Sequence, residues 1–275
     1  ADHDRIPRDI REDAERYRYL KADICDNITK HIEIEFADYV VNFAAESHVD
    51  NSIEDGKPFM DTNIGGVFSL LEQFKDAPNL KKFVQISTDE VYGDMNDYRG
   101  QTYATESFPL KPSSYYSASK ASADLLVQSA ARTFDVPYLI TRTCNNFGPG
   151  QDPEKFLPKI AKCIKERESV PVYGDGEQVR EWMYVDDNVA VIYGLMMTAP
   201  DNNVFNIGTG YSHTNNEVVC MISEAAETPV FFDSVEDRLG HDRRYAVDSG
   251  KVDTYLLADF VPYSLMDYIR DTFAV

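Results

Sequence analysis

The sequence is short of cations, of cysteine and tryptophan, and of long apolar runs. Its 27 Lys and Arg face 47 Asp and Glu, a formal net charge of -20. That excess argues against the broad basic face that nucleic acid or an anionic membrane surface requires, so an anionic ligand must be met by a few local arginines. It equally suits plain solubility or a salt-rich habitat. The four cysteines, Cys25, Cys144, Cys163 and Cys220, form no CxxC pair and have no His at ligand spacing. Neither a metal site nor a disulfide framework is expected, and buried free thiols are. No stretch approaches the roughly 18 apolar residues that span a bilayer. The opening "ADHDRIPRDIREDAERYRYL" has no apolar segment of a secretory signal, so the expected location is the cytoplasm.

What is present suffices for a large core: 43% of the 275 residues are hydrophobic. Strand-like runs, "DYVVNFAA" (38–45), "KFVQIS" (82–87) and "PYLITR" (137–142), alternate with helical patterns starting at Asp61 and Ser117. Strands separated by helices predict βαβ units and a doubly wound parallel sheet. After "NNFGPG" the texture changes: Pro and Gly become frequent and regular alternation is lost, which predicts a second, smaller region.

Two stretches carry candidate chemistry. In "STDEVYGD" a hydroxyl, Thr88, and two adjacent acids, Asp89 and Glu90, follow a buried strand, and ligands of open α/β sheets bind beyond the carboxyl ends of strands. On its own, such an acidic pair reads as a solvated turn. In "YYSASKASADLL" Tyr116 and Lys120 stand four apart and share a helix face. An ammonium beside a phenol favours the phenolate and would suit Tyr116 to take a hydroxyl proton. Alone, this spacing favours the plainer reading of two ordinary helix residues.

In order, "NFAAESHVDNSI", "STDEVYGD", "YSASKASADLLV", "NNFGPGQDPEKFLP", "VYGDGEQVREWMYVDD", "FNIGTG" and "DRLGHDRRYAVD" resemble the extended short-chain dehydrogenase/reductase superfamily, and within it the dTDP-glucose 4,6-dehydratases. The resemblance runs from about Lys21 to Lys251. It implies a Rossmann-like NAD-binding domain over 1–147 and a smaller α+β region over 148–275 that binds a sugar nucleotide, with about 180–207 returning to the first domain. It implies NAD as cofactor, a homodimer joined through the helices from Asp61 and Ser117, and dehydration of a nucleoside-diphosphate glucose to its 4-keto-6-deoxy form.

Carried over residue by residue, the resemblance makes Thr88, Tyr116 and Lys120 the oxidoreductase triad. Glu90 is then the base at carbon 5 and Asp89 the acid at the 6-hydroxyl. Cofactor contacts implied in the same way are Asp23, Ile24, Ala44, Ala45, Ser47, Asn63, Tyr116, Lys120 and Asn145. Implied substrate contacts are His48, Thr88, Asn146, Glu154, Lys155, Arg180, Asn215, Arg238 and His241. The two arginines fit a diphosphate, which a guanidinium grips bidentately. Trp182 is expected in the core.

The family's opening glycine-rich loop, of G-x-x-G-x-x-G type, is not in this sequence. The reading favoured is that the sequence is part of a longer protein, since a sheet without that first strand exposes unpaired edges. Leu239 stands where the family usually has Pro, and Phe147 where it usually has Tyr. Related activities, a UDP-sugar 4-epimerase or a UDP-glucuronate decarboxylase, would share Tyr116 and Lys120 but have no need of Asp89 beside Glu90. A catalytically silent relative is the remaining alternative.

Overall fold

The computed structural model describes residues 6–13, 15–98, 102–256 and 260–274. Its strands are β1 (Tyr39–Asn42), β2 (Lys82–Thr88), β3 (Tyr138–Thr143), β4 (Asn145–Phe147), β5 (Val170–Tyr173), β6 (Val179–Tyr184), β7 (Asn203–Ile207), β8 (Ser212–Thr214) and β9 (Phe232–Val235). A four-stranded parallel sheet has the order β1-β2-β3-β7. It is the Rossmann-like sheet the alternating pattern predicts.

The larger helices are α1 (Val49–Glu54), α2 (Val67–Phe74), α3 (Tyr115–Phe134), α4 (Phe156–Glu166), α5 (Val185–Thr198), α6 (Asn215–Ala225) and α7 (Leu265–Phe273). Successive residues of β2 and β3 point to opposite faces, and both faces are covered. Phe83 and Ile140 pack under α2 and α3 with Leu70, Phe74, Ala123 and Val127. Val84 and Leu139 pack on the other side with Val191, Ile192 and Leu195 of α5. The helix expected from Asp61 begins earlier, with a turn at Lys57–Phe59 and a π-helical segment at Met60–Gly66 ahead of α2. The π segment shifts the 3.6-residue phase, which is why the pattern locates its start poorly. α3 begins two residues before Ser117, where Ser114 and Ser117 cap each other reciprocally.

Beyond β3 the chain builds a second core around Phe147, Leu157, Ile160, Val170, Trp182, Val218 and Ile222. Two small sheets, β4-β6-β8 and β5-β9, frame it. β7 then returns to pair with β3. Two of the thiols depart from expectation: Cys144 and Cys163 are buried, but Cys25 and Cys220 are exposed. Among the described residues no helix is long and apolar enough to cross a membrane, and no cluster of metal-ligating side chains occurs.

Candidate active site

β2 ends where the parallel sheet delivers its carboxyl edge, and the chain leaves it as one tight turn, Asp89–Tyr92. Thr88 caps that turn: its Oγ1 accepts the Glu90 amide at 3.3 Å and approaches Asp89 Oδ1 at 3.2 Å. The turn closes on Gly93 (φ 75°), where a Cβ would stand 2.0 Å from the Lys111 carbonyl oxygen, so no other residue fits. Asp89 is 3% exposed and its Oδ2 has no partner. Burial, then the neighbouring Glu90 and Glu181, push its carboxyl well above the usual range; burial also raises that of Glu90, against the pull of Arg180 and Arg238. Two adjacent acids therefore compete for one negative charge.

Tyr116, on the first turn of α3, stands near Thr88 and lies within the field of both acids. The expected lowering of its phenol by Lys120 is not found. Burial and then the Glu90 charge raise it instead, while the buried Lys120 ammonium donates to the Ile86 carbonyl on β2. Burial lowers Lys120 to about 8, with Asp124 opposing.

In front of Glu90 opens a cleft of about 510 Å³, of which Asp89, Tyr116 and Lys120 are not lining residues. Of the expected substrate contacts it is lined by His48, Glu154, Lys155, Arg180, Asn215, Arg238 and His241. Thr88 and Asn146 are not among its lining residues; the Asn146 amide donates to the Cys144 carbonyl at 3.2 Å. Arg180 is 9% exposed, lies 4.2 Å from the Tyr245 ring and donates to the Asp242 carbonyl at 2.8 Å. Arg238 Nε approaches Asp50 Oδ1 at 2.7 Å, and the Tyr173 hydroxyl donates to the same carboxylate at 3.2 Å. His241 meets Asp237 at 2.7 Å, His48 meets Glu154 at 3.6 Å, and Lys155 donates to the Ser47 carbonyl at 3.0 Å. Burial lowers His241 below its ordinary value; Asp237 opposes this, while Arg180 and Arg238 add to it.

The expected cofactor contacts divide. Ser47 and Asn145 line the cleft beside Glu90. Ile24 and Ala44 line a separate, mostly apolar hollow of about 430 Å³ against β1, which also holds Val40, Phe43 and Leu70. Asp23 is exposed and Ala45 half-buried, and neither lines either space. Asn63 is buried and holds the Glu46 backbone in both directions, at 2.8 and 2.9 Å, and the Ser119 hydroxyl at 2.8 Å. Asn145 Oδ1 is a buried acceptor with no partner at the carboxyl edge of β3. With small Ala44 and Ala45 beyond β1, that edge fits a dinucleotide lying across the strand ends.

Sequence reasoning missed Asp50, Tyr173 and Tyr245, which line the cleft, and Trp182, which serves two roles. Trp182 packs in the second core as expected, yet it also reaches the cleft wall, and its Nε1 has no partner. Only the length of "SHVDNS" and "VPVYGDG" near expected contacts could have pointed to Asp50 and Tyr173.

Residues 2–208 match the NAD dependent epimerase/dehydratase family. Over 242 residues the chain is 48% identical to the low-salt glycan biosynthesis protein Agl12 of Haloferax volcanii, a match that covers 87% of this chain and 76% of that protein. It is 43% identical to a dTDP-glucose 4,6-dehydratase of Streptomyces griseus, over 86% of this chain and 71% of the relative. The crystal structure of DesIV, a dTDP-glucose 4,6-dehydratase from Streptomyces venezuelae with NAD and TYD bound, superposes with a TM-score of 0.87 at 37% identity, covering 94% of this chain and 79% of that one. Sheet order, strand-end site and sequence agree, and the chain belongs to the NAD dependent epimerase/dehydratase family.

Proposed function

We propose that this protein dehydrates a nucleoside-diphosphate glucose, dTDP-glucose in the first instance, to the 4-keto-6-deoxy sugar nucleotide. The observation that carries the reading is the Asp89–Glu90 pair: two adjacent acids at the end of β2, both raised by burial, beside the Tyr116 phenol. An epimerase or a decarboxylase uses the Tyr and Lys without needing such a pair. Loss of water from carbons 5 and 6 needs one carboxylate to take a proton and one carboxylic acid to give one, and neighbours that split one charge meet that need.

In this mechanism Tyr116 Oη takes the proton of the sugar's 4-hydroxyl, with Thr88 donating to the same oxygen. When bound, NAD would supply the hydride acceptor for carbon 4 and donor for carbon 6, and its positive charge would offset what burial and the two acids do to the phenol. Lys120 adds its ammonium charge from behind. The 4-ketone acidifies carbon 5; Glu90 removes that proton, and Asp89 protonates the 6-oxygen as it leaves. Arg180 and Arg238 hold the diphosphate, with Lys155 and His241 beside them, while Asn145 and Lys120 orient the nicotinamide end.

We also assign the protein a homodimer through α2 and α3. Phe68 on α2 is 54% exposed, and Tyr115 and Leu125 on α3 are 62% and 57% exposed, leaving apolar faces that the sheet does not cover. The activity test is incubation with dTDP-glucose and NAD, followed by mass spectrometry for loss of one water. Recovery of a C4 epimer with unchanged mass would refute the dehydratase reading.

A further inference from the structure

Behind the reacting residues, away from the cleft, lies a buried polar chain for which the proposed mechanism has no use. Asp124 stands on α3 one turn after Lys120 and is 0% exposed. Its Oδ2 accepts Arg142 Nε, from the penultimate position of β3, at 2.9 Å. Arg142 Nη1 donates to the Tyr92 hydroxyl at 2.8 Å and to the Glu106 carbonyl at 3.3 Å. The Tyr92 hydroxyl in turn donates to Asn206 Oδ1 on β7 at 2.7 Å, and the Asn206 amide donates to the Ala104 carbonyl at 2.8 Å. Tyr92 is the last residue of the turn that begins with Asp89 and Glu90. Ser87, next to Thr88, faces the Asp124 carboxylate.

Hydrocarbon of the same volume would pack this place at least as well, because desolvating two charges offsets most of their attraction. What hydrocarbon cannot supply is a fixed negative charge one helical turn from the Lys120 ammonium. Burial alone drives Asp124 toward its neutral acid, and Arg142, always charged, opposes that. Asp124 in turn opposes the burial that drives Lys120 toward its neutral amine. The other titratable groups near the pair are Tyr92 and Glu106 ahead of α3, Arg132 on α3, and Tyr138 on β3. Asp124 is the carboxylate that acts on Lys120.

We propose that Asp124 and Arg142 are positioning residues, which keep a permanent negative charge beside Lys120 and, through Tyr92, clamp the turn that carries Asp89 and Glu90. The inference rests on the roles proposed above for Lys120, Asp89 and Glu90. It makes the back of α3 part of the active site without contact to substrate or cofactor.

The test uses the full chain with two variants. Asp124→Asn removes the carboxylate and leaves Arg142 unpaired, so the ammonium of Lys120 faces one anion fewer and an Arg142 charge that is no longer offset. The high-pH limb of kcat is expected to move down by about one pH unit or more. The double variant Asp124→Leu/Arg142→Met is expected to melt at or above the wild-type temperature, because the pair is replaced by packed hydrocarbon. Its limb should nevertheless move to lower pH, because Lys120 has lost its carboxylate. Lys120 itself is titrated by NMR of lysine-labelled protein without added substrate, and its midpoint should fall from about 8 in both variants. Asp124→Glu should recover most of the wild-type profile. A wild-type limb and Lys120 midpoint in both variants, whatever happens to kcat, would overturn the proposal and leave the pair as packing. Because the lysine titration needs no turnover, failure of the dehydratase assignment would show separately, as absence of the dehydrated product in the wild type.

Discussion

At the reacting end of the cleft, a capped turn holds Asp89 buried and Glu90 half-buried, and burial raises both carboxyls. At the other end charged groups line the cleft and are already paired: Arg238 with Asp50, His241 with Asp237, His48 with Glu154. The difference separates two tasks. A group that must move protons gains from burial and from a like-charged neighbour, because both displace its pKa toward the working range. A group that must hold an anion gains from a cation kept in place by an exchangeable carboxylate, since substrate can then replace one partner with another. Substitutions at the first end should therefore change turnover, and substitutions at the second should change affinity.

Tyr116→Phe should show the largest effect. Without the phenol no proton leaves the 4-hydroxyl, so turnover should fall by about 10⁴-fold, the upper end for a positioned acid–base group. No reduced nicotinamide absorbance should develop on mixing. Glu90→Gln should lower kcat by about 10²- to 10⁴-fold with KM little changed, and reduced nicotinamide should accumulate because oxidation at carbon 4 still proceeds. An equal loss in kcat without that absorbance would remove Glu90 from the role of base at carbon 5.

Arg238→Met should invert the pattern. Loss of a charged hydrogen-bonding partner to the diphosphate is worth about 1.5 to 3 kcal/mol, so KM should rise about 10- to 150-fold with kcat nearly constant. Asp50→Asn frees Arg238 from its present partner and should lower KM several-fold. A kcat effect as large as that of Glu90→Gln in either variant would blur the distinction between the two ends.

The smallest effect expected is on stability. The folded carboxyl of Asp89 lies well above its unfolded value, so the folded state binds the proton more tightly and stability falls as pH rises through that range. Asp89→Asn cannot ionise and should melt higher than wild type, by more at pH 8 than at pH 4. The same shift gives kcat a bell shape: Glu90 must lose its proton on the acid side, and on the alkaline side both Asp89 and the Lys120 ammonium must keep theirs. Thermal melts at the two pH values and a kcat profile check both statements.

The parallel sheet was legible because β2 and β3 are buried on both faces, which leaves nearly unbroken apolar runs in the sequence. The start of the helix before α2 was not, because the π segment with Gly65 and Gly66 breaks the periodicity. At the site, the Asp89–Glu90 pair stood out by its position after a strand. The partners of Arg238, His241 and Lys120 did not, since local spacing does not determine which carboxylate or carbonyl folds back onto a given cation. Arg142 had left a signal that was not used: a charge inside the buried run "YLITR" requires a buried partner.

The central claim, that this cleft removes water across carbons 5 and 6 and returns the same hydride it took, is tested most directly with substrate deuterated at carbon 4. The wild-type protein with NAD should give a 4-keto-6-deoxy product carrying that deuterium at carbon 6. Deuterium recovered at carbon 4, with no 6-deoxy sugar formed, would contradict the account and identify the reaction as an epimerisation.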